Sequence, residues 1–220
     1  MDNEDDLDRA PATPPPGAQP PPWEDRSRYG FINAVYLTTR EVLLAPGLFF
    51  ARPISQPGLW QPLLFAMVIG AVSAFFDWMW MLAGSSLRVL VGQDIARLMR
   101  AQFLSGMAFL LSPVLVFAGV FLRAAVVHVC LLIVDAARGG FAATFRVVAY
   151  SEAVWILAVL PFCGNLFAVV WGTIVAIVGV RELHRCESWR AVVGVLLPLL
   201  ICLSSCGGLT MLAITRGLLD

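Results

Sequence analysis

Residues 144–180 read TFRVVAYSEAVWILAVLPFCGNLFAVVWGTIVAIVGV, and this stretch decides the fold. Two apolar runs, residues 144–162 and 165–180, flank the sequence PFCGN, in which Pro161 and Gly164 favour a tight turn. A bilayer core of about 30 Å needs roughly 20 predominantly apolar residues in a helix. The pattern therefore predicts two membrane-spanning helices that form an antiparallel hairpin.

Three further apolar segments lie outside this hairpin, at about residues 59–83, 103–134 and 189–214. Together the five segments predict an all-α fold, a polytopic membrane bundle of about five transmembrane helices. The segment at 103–134 would form roughly 48 Å of helix, which exceeds the hydrocarbon core. We expect it to tilt or to project past the lipid. Two shorter spans are the alternative, although the segment contains no turn signal.

The composition indicates a chain whose solvent is lipid. Hydrophobic residues make up 59% and charged residues 14% of the chain, against roughly 45–50% and about 25% in an average soluble domain. The formal net charge is zero and no continuous basic patch occurs, so nucleic acid is not an expected partner. The lipid bilayer is the first partner that the composition predicts.

The chain before the first span divides into two parts. Residues 1–28 are acidic and rich in Pro, a composition that predicts a disordered cytoplasmic tail. Its Pro runs are able to dock on an aromatic groove of a partner, but a solvated spacer is the favoured interpretation. Residues 29–58 carry apolar residues at helical spacing, interrupted by polar ones, and predict an interfacial amphipathic segment lying on the membrane. Residues 59–220 form the predicted five-helix membrane domain.

The distribution of Arg residues predicts the orientation of this domain. With the N-terminus inside, ten Arg residues fall on the inner side and four on the outer side, the latter being Arg88, Arg97, Arg100 and Arg216. Positive residues favour the cytoplasmic side of a membrane. We therefore expect a cytoplasmic N-terminus and a C-terminus on the far side, with residues 84–102 as an outer loop.

Ionisable residues in or near the spans are costly in lipid and are the first place to look for function. Six of them form a candidate polar network: Asp77, Arg123, His128, Asp135, Arg146 and Glu152. All but Asp77 approach the predicted inner face, where Arg123 is able to pair with Glu152. One interpretation is a proton path, an ion path or a ligand groove. An interfacial network that holds helices in register is favoured, because long interfacial side chains cost little.

The other reactive residues do not indicate catalysis or metal binding. His128 with Cys130, and His184 with Cys186, are each two residues apart, or about 200° around a helix, so each pair points to opposite faces. The five Cys residues are irregularly spaced, which argues against a disulfide framework. No soluble-enzyme motif is present. We predict no metal, no cofactor and no enzymatic activity.

The block at residues 135–200 resembles the membrane domain of the Yip (Ypt/Rab-interacting protein) family, of bacterial type. The resemblance is carried by His128, GGFAATFRVVAY at 139–150, Pro161 with Gly164, Trp171, VGVRELH at 178–184 and Arg190 with Ala191. Upstream, LLAPGLFF at 43–50 resembles the Pro-containing entry segment of the family, and the whole resemblance covers about residues 40–214. The family-like positions are Gly139, Gly140, Phe145, Tyr150, Pro161, Gly164, Trp171 and Gly179. Soon after the Tyr, where the family often has Pro, this chain has Glu152 and Ala153.

This resemblance implies five membrane helices, a cytosolic N-terminus and a far-side C-terminus. Eukaryotic members of the family act as adaptors that recruit small GTPases and help to shape or sort transport vesicles. Together with the predicted bundle and the acidic, Pro-rich tail, this resemblance predicts an integral membrane scaffold or adaptor whose tail, interfacial helix and inner loops engage other proteins or lipid headgroups. A bacterial inner membrane is the expected location, and no oligomeric state is predicted. The alternative is a small transporter or channel that uses the intramembrane polar residues.

Overall fold

The structure is a computed structural model that describes residues 19–52, 58–90, 94–198 and 200, without the side chains of residues 86–90. Within these residues the chain forms helices and turns. The helices are α1 (Arg26–Tyr29), α2 (Phe31–Leu44), α3 (Pro46–Phe50), α4 (Trp60–Leu90), α5 (Ile95–Ile133), α6 (Gly140–Ser151), α7 (Gly164–His184) and α8 (Ser188–Pro198). Two 3-10 helices, Pro22–Asp25 and Glu152–Val159, precede α1 and continue α6.

Four helical segments of the described chain are long and apolar enough to cross a membrane. They are Trp60–Ser85, Ile95–Ile133, Gly140–Val159 and Gly164–His184. The predicted all-α membrane bundle is confirmed. The fifth predicted span, residues 189–214, begins as α8, and its continuation beyond residue 200 lies outside the described residues.

The long helices alternate in direction, which defines two ends of the bundle. At the end that we call proximal, α4 and α6 begin while α5 and α7 end. At the distal end, residues 160–163 form the turn between the 3-10 helix and α7, with Phe162 at a φ of 67°. The hairpin predicted from the sequence PFCGN is therefore present.

The second long helix begins earlier than predicted. Asp94 caps its N-terminus by accepting a hydrogen bond from the backbone N–H of Ala96 at 2.9 Å. The helix then runs for 39 residues, or about 58 Å. Since α4 extends to Leu90, most of residues 84–102 is helical, and the prediction of a long outer loop there was wrong. The Arg residues at positions 97 and 100 lowered the local hydropathy and hid the start of the helix.

The third span changes its helical form halfway. Its α-helix begins at Gly140, four residues before the predicted start, and gives way to a 3-10 helix of eight residues at Glu152. Runs of 3-10 helix longer than three or four residues are uncommon and often mark a functional or strained position. The change in winding begins at the one acidic residue of this span.

The segment around Trp23 is folded onto the proximal end of the bundle. Trp23 is 1% exposed. Its backbone N–H donates to Thr38 Oγ1 at 2.9 Å, and its indole N–H donates to the carbonyl of Gln61 at 2.6 Å. Its ring meets Phe65 edge-on at 5.7 Å. Residues 19–28 were predicted to belong to a disordered tail, but they are ordered, and residues 21–24 are buried against the bundle; residues 1–18 lie outside the described residues.

Helices α2 and α3 form a helical hairpin in which α3 packs against α7 and α2 packs against the 3-10 helix Glu152–Val159. The chain reverses at Ala45, and Pro46 starts α3. Arg52 donates to Glu41 at 2.7 and 3.0 Å and links the two arms. Trp171, which is about 20 Å from the proximal end of α7, donates its indole N–H to the carbonyl of Leu43 at 3.0 Å. The segment predicted to lie flat on the membrane surface is thus packed against the side of the bundle.

Candidate functional site

The structure distributes the six predicted network residues over five separate contacts. Arg123 and Glu152 are the two members that meet each other. Arg146 pairs with Glu24, His128 bonds Thr144, Asp135 meets Arg190, and Asp77 accepts a hydrogen bond from Asn165. The residues therefore do not form a single network at the inner face, because they lie at different depths and on different faces of their helices.

The Arg123–Glu152 ion pair joins α5 to the start of the 3-10 helix. Glu152 is 7% exposed in its side chain, whereas Arg123 is 48% exposed. Arg123 lies ten residues before the end of α5, or about 15 Å from the proximal end, which is near the middle of a bilayer core. A cation at this depth is stabilised by a carboxylate or by a polar cavity, and this pair has both.

A cleft between α4 and α5 contains this ion pair. Its volume is about 470 Å³, which is within the usual range of ligand pockets, roughly 300–1,000 Å³. Its floor is largely apolar and its charged lining residues are Asp77, Arg123 and Glu152. Ser112 also lines the cleft, and its buried hydroxyl has no hydrogen-bond partner among the described residues. The cleft combines an apolar trough with a few convergent polar groups, as ligand sites do.

A second Arg–Glu pair locks the N-terminal segment to α6. The Glu24 side chain is 0% exposed and that of Arg146 6% exposed, and the two form an ion pair. Tyr150 donates its hydroxyl to the same Glu24 oxygen at 2.8 Å. Such a pair is costly to bury unless every charge finds partners. Sequence reasoning missed Glu24 because it lies in a Pro-rich acidic segment whose composition predicts disorder.

A hydrogen-bonded chain of two His residues and one Thr ties three elements together at the proximal end. The Gly139 N–H donates to His184 Nδ1 at 3.0 Å, so Nε2 of the neutral His184 ring carries the hydrogen. Nε2–H then donates to Thr144 Oγ1 at 3.0 Å, which leaves the Thr144 hydroxyl to donate to His128 Nδ1 at 2.9 Å. The chain fixes α5, α6 and α7 in register. His128 was predicted as a site residue, but Thr144 and His184 were not.

The link between Asp135 and Arg190 is more exposed. Asp135 ends the α5 turn at a φ of 53°. Arg190 Nη1 donates to the carbonyl of Asp135 at 2.8 Å and to its carboxylate at 3.2 Å. Because the Asp135 side chain is 89% exposed, solvent screening leaves the ion pair itself little strength. The contact positions α8 against the end of α5.

The family-like positions are mainly packing and turn positions. Gly179 faces Phe50 and Val147, and a Cβ there would approach both side chains to 2.9 Å. Gly140 has a φ of 73°, which favours glycine at the start of α6. The other positions are the amide donor Gly139, the buried Phe145 and Tyr150, the turn residues Pro161 and Gly164, and the hairpin contact Trp171.

The arrangement gives no metal site in the part of the chain that the structure describes. Within those residues no three His, Cys, Asp or Glu side chains are grouped so as to hold an ion. The polar groups instead form hydrogen bonds and ion pairs between helices. The cleft is the place where a ligand has access to charged side chains.

The comparisons with known proteins identify the family. The Yip1 domain family model matches residues 40–209, well over half of the chain. Comparison with curated proteins and with solved structures gave no match. The match spans all four long helices and the α2–α3 hairpin from residue 40 onward, in agreement with the resemblance that the sequence carries. The chain therefore belongs to the Yip1 domain family of multi-pass integral membrane proteins.

Proposed function

We propose that the protein is a non-catalytic membrane scaffold or adaptor of the Yip type that presents its N-terminal tail and proximal loops to protein partners. The observation that carries this proposal is the buried Glu24–Arg146–Tyr150 contact. It holds the base of the acidic, Pro-rich tail on a packed core. A tail with a fixed base and a Pro-rich sequence suits recognition by a partner groove.

The rigidity of the proximal end supports this role. The His128–Thr144–His184 chain and the docked Trp23 join the N-terminal segment, α4, α5, α6 and α7. A scaffold needs loops in fixed relative positions, because ordering them on binding would reduce affinity. In this proposal, the polar groups of the proximal end hold the helices in fixed relative positions.

We further propose that the proximal end faces the cytoplasm of a bacterial cell. Arg138, Arg181, Arg185 and Arg190 lie at this end, and positive residues favour the cytoplasmic side. Cys163 is exposed in the distal turn, while Cys186 lies partly buried at the proximal end. The two thiols therefore report on opposite sides of the membrane.

An impermeant maleimide tests this orientation. In intact cells, we expect labelling of Cys163, read from the labelled peptide, and loss of that signal in Cys163→Ser. Cys186 should react after permeabilisation, and slowly at neutral pH, because burial raises the pKa of its thiol. Its rate should increase as the pH rises and thiolate forms. Labelling of Cys186 in intact cells, with Cys163 protected, would reverse the orientation.

Crosslinking of the full-length protein in native membranes tests the adaptor role. We expect specific protein crosslinks to residues 1–18 and to the proximal loops, and we expect the loop crosslinks to the same partner to weaken when residues 1–18 are deleted. Deleting residues 1–52 is unsuitable, because it removes Trp23, Phe49 and Phe50 from the core. Crosslinks confined to the distal end, or unchanged by the short deletion, would contradict the tail's role.

The second candidate function is a small transporter or channel. It is favoured by the cleft, which brings Asp77, Arg123 and Glu152 to one cavity, although His128 lies elsewhere. This candidate predicts an ion or proton flux in proteoliposomes that Glu152→Gln abolishes. Normal insertion without flux across pH and ion gradients would eliminate it.

A further inference from the structure

The cleft between α4 and α5 is long and narrow. On α5 its lining runs from Ser105 to Arg123, a distance of about 27 Å along the helix. A volume of about 470 Å³ spread over this length leaves room for a single chain of atoms rather than for a compact molecule. The middle of the cleft is lined by apolar residues such as Leu115 and Val116. Its shape and its lining match an extended hydrocarbon chain.

The charged residues of the cleft determine the sign of the charge that the headgroup of such a ligand carries. Asp77 and Glu152 contribute two negative charges and Arg123 one positive charge. Arg123 pairs with Glu152, so the negative charge that is left over belongs to Asp77. Asp77 accepts a hydrogen bond from the neutral amide of Asn165 at 3.0 Å, and among the described residues no cation forms an ion pair with it. The distal part of the cleft is therefore complementary to a cation.

Aromatic rings stand beside this carboxylate. Trp78 and Phe109 stack at 5.6 Å with an interplanar angle of 8°, and both line the cleft together with Trp155. Aromatic faces attract cations, and recognition of ammonium groups is a frequent use of such rings. A carboxylate next to aromatic rings is thus a setting for an ammonium head, and an anionic head would be repelled.

Two further features of the cleft are typical of a ligand site: a buried polar group without a partner, and open space. The Ser112 hydroxyl lines the cleft, is buried and lacks a hydrogen-bond partner in the described part of the chain, which is uncommon for a buried polar group. Gly119 lines the cleft, and a Cβ built on it meets no atom within 4 Å. There is thus open space against α5 between the ion pair and the aromatic rings.

We propose that this cleft binds an amphiphile that carries an ammonium head on an apolar chain. The head lies at Asp77, beside Trp78 and Phe109, and the chain follows the trough past Ser112 towards Gly119. Asp77 lies seventeen residues into α4, or about 25 Å from the proximal end, which places the head near the far surface of a 30 Å core. The ligand is either a phospholipid with an ammonium headgroup or a free alkylammonium compound.

Photolabelling of the full-length protein tests this site. The protein is reconstituted in phosphatidylglycerol vesicles and labelled with a dodecyltrimethylammonium probe that carries a diazirine at the chain end. We expect saturable labelling of α4 and α5 peptides that line the cleft. Asp77→Asn should weaken saturable labelling by about tenfold, since the Coulombic attraction between the carboxylate and the ammonium head is lost. Gly119→Leu should abolish saturable labelling by filling the trough.

Matched variants separate the site from general effects. Ala118→Leu adds the same side chain at the exposed neighbouring position outside the cleft, and Asp135→Asn removes an exposed carboxylate elsewhere; both should label like the wild type. Asn165→Ala removes the amide that bonds Asp77 and should leave labelling intact. If Gly119→Leu does not fold, as judged by size-exclusion chromatography, the comparison of saturable labelling between Asp77→Asn and the wild type tests the proposal.

Competition identifies the source of the ligand. Displacement of the probe by phosphatidylethanolamine in the vesicle supports a lipid, and displacement by free dodecyltrimethylammonium alone supports a soluble amphiphile. Dodecanol, which has the same chain without charge, should compete poorly. Labelling that does not saturate, or that is equal in the wild type, Asp77→Asn and Gly119→Leu, would overturn the proposal without affecting the adaptor role.

Discussion

Two Arg–Glu pairs lie in this bundle, one at the proximal end and one in the cleft between α4 and α5, and they differ in their surroundings. The proximal pair, Glu24 with Arg146, is almost completely buried and is completed by Tyr150. The cleft pair, Glu152 with Arg123, has a buried carboxylate, but its guanidinium is half exposed in an open cleft. The first pair therefore links the N-terminal segment to α6 in closed surroundings, whereas the second lies beside open space.

The packing around the two pairs follows the same division. The N-terminal segment fills the space next to the proximal pair with Trp23, whose ring contacts Phe65. In the cleft, Gly119 leaves open space four residues before Arg123, and farther along α5 the buried Ser112 hydroxyl has no hydrogen-bond partner among the described residues. The same residue types therefore have closed surroundings at the proximal end and open surroundings in the cleft, according to what packs beside them.

The largest effect should come from breaking the proximal pair. Glu24→Gln leaves Arg146 as a buried charge without its carboxylate, which should cost about 3–5 kcal/mol of stability. Thermal unfolding of the purified protein measures this loss as a lower Tm. The neighbouring change Asp25→Asn is the control, because Asp25 accepts a bond from the exposed Ser27 and should alter stability little. An equal decrease in Tm for the two variants would contradict the claim that the buried Glu24–Arg146 pair stabilises the fold.

The next effect concerns the chain of His residues at the proximal end. Thr144→Val keeps the shape but removes the hydroxyl, so His184 and His128 each lose a partner, at a cost of about 1–3 kcal/mol. Thr173→Val is the matched control, since that hydroxyl bonds the Val169 carbonyl of its own helix at 2.8 Å. A Tm that falls no further for Thr144→Val than for Thr173→Val would show that the chain contributes nothing.

The cleft pair should contribute less than either. Once the carboxylate is removed, the half-exposed Arg123 side chain is able to extend towards the headgroups at the proximal surface, so Glu152→Gln should lower the stability by about 1 kcal/mol. A double-mutant cycle with Arg123→Gln isolates the coupling between the two side chains. A coupling energy as large as that measured for the proximal pair in the same way would remove the distinction between the two pairs.

The smallest effect should come from the edge of the α2–α3 hairpin. Trp171→Phe loses the hydrogen bond to the carbonyl of Leu43 and should cost about 1 kcal/mol or less. Trp189→Phe, whose ring bonds the exposed Glu187, serves as the control. If hydrogen exchange in α2 is unchanged by Trp171→Phe, the hairpin is held by apolar packing alone.

Features that follow from local patterns were predictable from the sequence. The PFCGN turn, the long second helix and the proximity of Arg123 to Glu152 depend on apolar run length, turn residues and helix position. The start of α5 was missed because Arg97 and Arg100 lower the hydropathy, although Asp94 is a recognisable N-cap. The switch to 3-10 helix at Glu152 has no local signal that we recognise.

Features that depend on distant partners were not predictable. Glu24 and Arg146 are 122 residues apart in the chain, and no residue near Glu24 in the sequence indicates that it forms an ion pair with a distant Arg. The average composition of residues 1–28 is that of a disordered segment, and it gave no indication that Trp23 is fully buried. Likewise, Thr144 gained its role from two His side chains on other helices. Burial of a polar side chain is decided by tertiary packing, which a window of sequence does not contain.

Hydrogen exchange at residues 22–29 of the reconstituted full-length protein tests the central claim most directly. If the N-terminal segment is part of the bundle, these amides exchange far more slowly than in an unstructured peptide, and the protection is lost in Glu24→Gln but kept in Asp25→Asn. Exchange at the rate of an unstructured peptide in the wild-type protein would contradict the claim that a buried ion pair fixes the base of the tail.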